Sequence, residues 1–174
     1  MAIRRVVKAG HPALARIADA VADPTAPEIQ ALAVDLIDSL AEAGGIGLAA
    51  PQIAMPLRVV LYSVPAARVT DHPDDGAQAP TIIVNPVLTD LDDGEWSALE
   101  GCLSMPGLRG LVPRRRRMRL DWLDLDGQPR SRVVGGWHAR VLQHECDHLD
   151  GRLYPTRMTD LSTLVYLDEV TLER

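Results

Sequence analysis

The order of hydrophobic periodicities predicts an α+β fold. Helical spacing comes first, strand-like segments follow in the middle, and one further helix lies near the end. Two observations carry this. Two stretches repeat their apolar residues with a helical period and stop at glycines, and the region between them is cut into short apolar runs by turn residues. With 174 residues, the chain is long enough for one domain, 1–174, with a sizeable core.

Taken in order, His11–Ala18 predicts a short helix, with Pro12 suited to a first turn. Thr25 and Glu28 have capping-box spacing, which predicts Thr25 as N-cap and Glu28 at N3. Ile29, Leu32, Ala33, Leu36, Ile37 and Leu40 then form one apolar face, and Gly44-Gly45 ends the helix. Leu57–Ser63 and Thr81–Thr89 read as strands, joined by a surface loop over Pro65–Pro80 that is rich in Pro, Asp and Gly. Met118–Leu125 and Arg130–Val134 read as a hairpin turning at Asp126-Gly127. A second helix spans about Gly136 to Asp150 and closes at Gly151.

Composition narrows the class. Apolar residues make up 47% and charged residues 24%, which fits a globular chain. Aromatic residues make up only 3% and Phe is absent, so the core must be aliphatic. The two cysteines, Cys102 and Cys146, do not make a disulfide scaffold. The opening residues lack an apolar signal region and no run is long enough to span a bilayer, so a cytoplasmic protein with no membrane partner is expected. The net charge of −6 argues against a dedicated nucleic-acid site. The basic run Arg114–Arg119 reads as a solvated strand.

The second helix carries His144-Glu145-Cys146-Asp147-His148, an H-E-x-x-H motif. Its histidines lie four apart, so both imidazoles leave one helical face at the spacing of two metal ligands. Glu145 sits beside the first, where a carboxylate can reach an activated water. A catalytic site of this kind needs a third ligand. The H-x-x-G-x-x-H pattern fails, because Tyr154 stands where the third His belongs. Glu169 is one candidate and Cys102 is another. Cys146, two residues after His144, points off the metal face and reads as packing. Gly45-Ile46-Gly47-Leu48-Ala49-Ala50-Pro51-Gln52 imitates a dinucleotide fingerprint but follows a helix, so an extended edge open to a peptide is the better reading.

The ordered trio Gly45–Gln52, Glu100–Gly107 and Gln143–Gly151 resembles the peptide deformylase family. That family carries G-x-G-L-A-A-x-Q, E-G-C-x-S and Q-H-E-x-D-H-L-x-G. The resemblance implies antiparallel sheets packed around a central helix that bears H-E-x-x-H. It implies a bacterial enzyme that takes the N-formyl group from the initiator methionine of nascent polypeptides. By resemblance, Cys102, His144 and His148 hold one divalent metal ion. That ion is iron(II) in the cell, with zinc, nickel or cobalt as alternatives in purified protein. Glu145 acts as general base and then acid, and Gln52 and the Leu103 N–H stabilise the oxyanion. Ile46, Gly47 and Gly101 pair with the substrate backbone. Ile46, Arg109, Val141 and Leu142 line the methionine pocket, which without Phe is expected to be aliphatic. Glu100 and Arg114 are expected to pair behind the metal. His138 lies in an uncommon lead-in, Trp137–Arg140, and is expected at the surface. The tail after Tyr154 is short and acidic, with Asp160, Asp168, Glu169 and Glu173. Contact with the ribosome surface would then fall to Arg114–Arg119.

Overall fold

The computed structural model describes residues 3–169. Helix α1 is Pro27–Ala43 and helix α2 is Gly136–Leu149. Strands β1 (Gly47–Ala49), β2 (Val59–Val64), β3 (Gln78–Asp90), β6 (Arg117–Leu123) and β7 (Pro129–Gly135) form one antiparallel sheet in the order β1-β2-β3-β6-β7. Strands β4 (Glu95–Cys102), β5 (Met105–Arg115) and β8 (Val165–Tyr166) form a second, also antiparallel. The α+β expectation holds.

Alternation along β2 shows how the layers stack. Val59 and Leu61 pack with Ile29, Leu32, Leu36 and Leu40 of α1. Val60, Tyr62 and Val64 pack with Ala139, Val141, Leu142 and Leu149 of α2. The larger sheet is thus covered by a helix on each face. A smaller apolar cluster, with Cys102, Val112 and Tyr154, lies under the second sheet. Helix α2 is buried along most of its length, with eleven of its fourteen residues buried, polar ones included. A helix so enclosed must find partners for its charges inside the protein.

Several local expectations are corrected. The capping box does not form: α1 begins at Pro27, Ala26 is the N-cap, and Thr25 turns back to Asp23 through both N (2.8 Å) and Oγ1 (2.7 Å). Pro27 presets the helical φ and so moves the start beyond Thr25. Ile37 is 47% exposed and lies off the buried stripe. The helix expected over His11–Ala18 is only a 3₁₀ turn, Pro12–Leu14. Strands β4 and β5 went unread, because Gly, Pro and Arg interrupt their apolar pattern. The hairpin β6–β7 forms, with Gly127 at φ +74° in its turn. Asn85, the one asparagine, sits at φ +50° beside an irregularity in the β3–β6 pairing. Its side chain closes two hydrogen bonds of 2.9 Å with the Val21 backbone.

The segment between β2 and β3 does more than cross the surface. Asp75 accepts hydrogen bonds from the backbone N–H groups of Trp137 (2.9 Å) and His138 (3.1 Å), and from Thr70 N and Oγ1. A carboxylate from a distant loop therefore caps the first turn of α2. Asp75→Ala should lower unfolding free energy by about 2 kcal/mol in urea titration, since it strands two helix N–H groups; an unchanged midpoint would refute the capping role.

His138 is fully buried, contrary to the surface expectation, with Nε2 3.1 Å from the Tyr62 hydroxyl. The next turn of the helix faces the larger sheet, so position 138 turns inward. Burial pushes its pKa down to about 4, helped by the Arg132 charge and opposed by Asp75. In the unfolded chain the group titrates near its ordinary 6.5. Between those values the unfolded state binds more protons, so this contribution is whole above pH 6.5 and lost as pH falls to 4. It amounts to at most about 3 kcal/mol. The stability gap between wild type and His138→Gln should narrow by up to that amount over this window, and parallel stability curves would contradict it.

Candidate metal centre and cleft

Helix α2 places His144 and His148 one turn apart, with ring centroids separated by 5.2 Å. Cys102, the last residue of β4, brings its Sγ to 3.3 Å from His148 Nε2. One ligand atom from each of the three residues lies within 4.8 Å of the other two, an arrangement that could hold a metal ion. Among the described residues this is the one such cluster. The other third-ligand candidate, Glu169, is exposed in the turn after β8 and outside the cluster. Cys146 is buried away from it, and burial drives its thiol far above the usual range.

His144 is held from behind, whereas the buried Nδ1 of His148 has no hydrogen-bond partner. His144 Nδ1 lies 2.8 Å from Glu100 Oε2. The Glu100 carboxylate also accepts from Arg114 Nε and Nη2, both at 2.9 Å, and from Arg140 Nη1 at 2.7 Å. Burial pushes the Glu100 pKa up, but hydrogen bonds from His144 and Arg114, with the Arg114 charge, hold it at about 2. Arg114 reaches on to Asp147 (2.6 Å), which Arg157 also binds. The expected Glu100–Arg114 contact is therefore present. Arg114 is buried, which corrects the reading of its run as a solvated strand. The neighbours Arg115, Arg117 and Arg119 each pair with an acid at the surface: Asp90, Asp74 and Asp121.

Gln52 is buried. Its Oε1 accepts from Ala49 N at 2.9 Å, which turns Nε2 toward Cys102 Sγ (3.5 Å) and Ser104 Oγ (3.2 Å). Glu145 is 4% exposed, and its Oε2 has no hydrogen-bond partner. Burial raises its pKa to about 7, with the Glu100 charge in the same direction and His144 and Arg114 opposing.

These groups meet a cleft of about 510 Å³ between β1 and β4. Ile46, Gly47, Gln52, Gly101, Cys102, Leu103, Arg109, Val141, His144 and Glu145 line it. Leu142 does not: it is fully buried in the core against the larger sheet. Position 142 is one residue past Val141, a rotation of about 100° around the helix. The cleft is also not purely aliphatic. Trp137 lines it, with the Arg68 guanidinium 4.9 Å from its ring centre. The cleft-side role of Trp137 and the buried role of Arg140 went unread. Their one sequence signal is a place on the metal helix, with Arg140 four residues before His144.

A family profile described as Polypeptide deformylase matches residues 3–163. The chain belongs to the polypeptide deformylase family. It is 47% identical to Peptide deformylase 1 of Bordetella pertussis, over 95% of this chain and 93% of that protein. It is 46% identical to Peptide deformylase 1 of Nitrosomonas europaea, with the same coverage. The fold resembles a peptide deformylase from Ehrlichia chaffeensis in complex with actinonin, at TM-score 0.85 and 28% identity, over 94% of this chain and 92% of that one. It also resembles a Met-Ala-Ser-bound class I type b peptide deformylase from Acinetobacter baumannii, at TM-score 0.81 and 32% identity, over 90% and 99%. As a member of the peptide deformylase family, the chain is an enzyme acting on formylated nascent peptides. No helix among the described residues is long and apolar enough to cross a membrane.

Gly47 tests the cleft directly. A Cβ there would stand 2.2 Å from Glu145 Oε1, so Gly47→Ala must move the carboxylate. Displacing a reacting group by about 1 Å costs on the order of 10²-fold. A fall of that size in kcat/KM is expected, with an unchanged circular dichroism spectrum. Full activity would show that the Glu145 position is not critical.

Proposed function

We propose that this chain deformylates N-formylmethionyl peptides at a metal ion held by Cys102, His144 and His148. The observation that carries the reading is the convergence of one thiol and two imidazoles beside a buried carboxylate that has a free oxygen. The donor set fits a metal of borderline softness, so iron(II) serves in the cell and zinc, nickel or cobalt can replace it in purified protein. Three protein ligands leave one position open, as a catalytic site requires and a closed structural site does not. Such an ion acts as a Lewis acid and lowers the pKa of bound water toward neutrality.

The chain's own groups supply the rest. Glu145 takes the proton of the attacking water and passes it to the departing amine. Its burial, with one carboxylate oxygen free of any partner, leaves it able to take and return a proton. Gln52 Nε2, aimed by the Ala49 N–H on its Oε1, donates to the formyl oxygen as negative charge grows there. The Leu103 backbone N–H is the second donor. Ile46 and Gly47 on one wall and Gly101 on the other pair with the peptide backbone as an added strand. The methionine side chain lies among Ile46, Val141 and the stem of Arg109, with Leu142 supporting Val141 from the core. Formate and a free amino terminus leave.

The reading is tested with formyl-Met-Ala-Ser and casein as alternative substrates for the metal-loaded enzyme. Formate release from the peptide without casein cleavage is expected. Glu145→Gln should reduce that release by roughly 10²- to 10⁴-fold while metal content stays at wild-type level. Undiminished formate release in this variant would overturn the role of Glu145, and casein cleavage would overturn the substrate class.

A further inference from the structure

Arg140 is 1% exposed and lies on α2 one turn before His144, so both side chains reach the same wall of the second sheet. Its Nη1 donates to Glu100 Oε1 at 2.7 Å and to the Val112 carbonyl at 2.9 Å. Its Nη2 donates to the Trp96 carbonyl, and its guanidinium carbon lies 4.5 Å from the centre of the Trp96 ring. The fork is thus pinned by two strand carbonyls and an indole face, and it presents a fixed N–H to the carboxylate.

Resting on the metal reading above, we propose that Arg140 is a positioning residue for His144, acting through Glu100. Glu100 Oε1 is occupied by Arg140 and by Arg114 Nε, and Oε2 by Arg114 Nη2 and His144 Nδ1. All four acceptor directions of the carboxylate are used, so it cannot rotate without breaking a charged hydrogen bond. A carboxylate held there keeps the His144 proton on Nδ1 and leaves the Nε2 lone pair for the metal. Arg114 binds both oxygens along one edge and is itself held by Asp147 at 2.6 Å. Arg140, anchored to β4 and β5 by Trp96 and Val112, fixes the carboxylate from a second side. The planar fork is essential, because a single ammonium cannot reach the carboxylate and both carbonyls together.

The test is cobalt(II) affinity by chelator competition, with the visible absorption spectrum of the cobalt-loaded protein, in wild type, Arg140→Met and Arg140→Lys. Met preserves the stem without the fork, and Lys preserves the charge without the fork. Arg140→Met should bind cobalt(II) roughly 10- to 100-fold more weakly, with a changed spectrum. Arg140→Lys should fall between it and wild type. A purely structural arginine would lower the melting temperature and leave affinity and spectrum unchanged, and that result overturns the proposal. If Arg140→Met does not fold, Arg140→Lys decides, and wild-type affinity and spectrum there overturn it equally. Wild-type protein that takes up no cobalt(II) overturns the metal reading itself, whereas wild-type uptake with unaffected variants overturns only the role of Arg140.

Discussion

One buried carboxylate, Glu100, joins the two halves of this molecule. It lies on β4 and accepts from Arg114 on β5 and from Arg140 and His144 on α2. The second sheet and the helix are therefore held together by charged hydrogen bonds as well as by apolar contact. Taking such charges out of water is costly, and the cost is met only where every partner is in place. Removing any one leaves an unpaired charge in the interior. The network thus favours a single arrangement of sheet and helix, and the cluster of Cys102, His144 and His148 depends on that arrangement.

Close approach is the second constraint. The Glu145 carboxylate lies against Gly47, and the Arg109 guanidinium lies against Gly101, at separations no Cβ would allow. Both cleft walls carry glycine where a long charged side chain crosses them closely. The apolar core supports this from below without any Phe: β2 alone supplies Val59 and Leu61 to one side and Val60, Tyr62 and Val64 to the other. The loop carboxylate of Asp75, which caps α2, completes the frame by holding the start of the helix.

Much of this was legible in the chain. Both helices, two strands and the hairpin follow from periodicity and turn residues. The H-E-x-x-H spacing reports two ligands because an α-helix returns to the same face every four residues. The pairing of Glu100 with Arg114 was readable from motif position. What failed shares a cause. Thr25 matched a capping pattern that Pro27 displaced by one residue. Ile37 fits the apolar repeat of α1, His138 is polar, and Leu142 matches a pocket position by resemblance, yet which way a helical residue faces depends on what surrounds the helix. Strands β4 and β5 carry Trp, Arg, Pro and Gly, a composition that gains its extended form from pairing with each other.

The sequence by itself determined the chemistry on offer: two histidines and a glutamate on one helix, a cysteine between glycines, and an amide after a glycine-rich edge. Local spacing suffices there, because helix geometry depends on neighbours in the chain. The motif resemblance already favoured Cys102 over Glu169; only the tertiary structure brought Cys102 against the two histidines, sent Leu142 to the core and Trp137 to the cleft, and buried Arg140 against Glu100. Those outcomes depend on contacts between residues far apart in the chain, such as Glu100 with Arg140 and Cys102 with His148, and no local spacing encodes them.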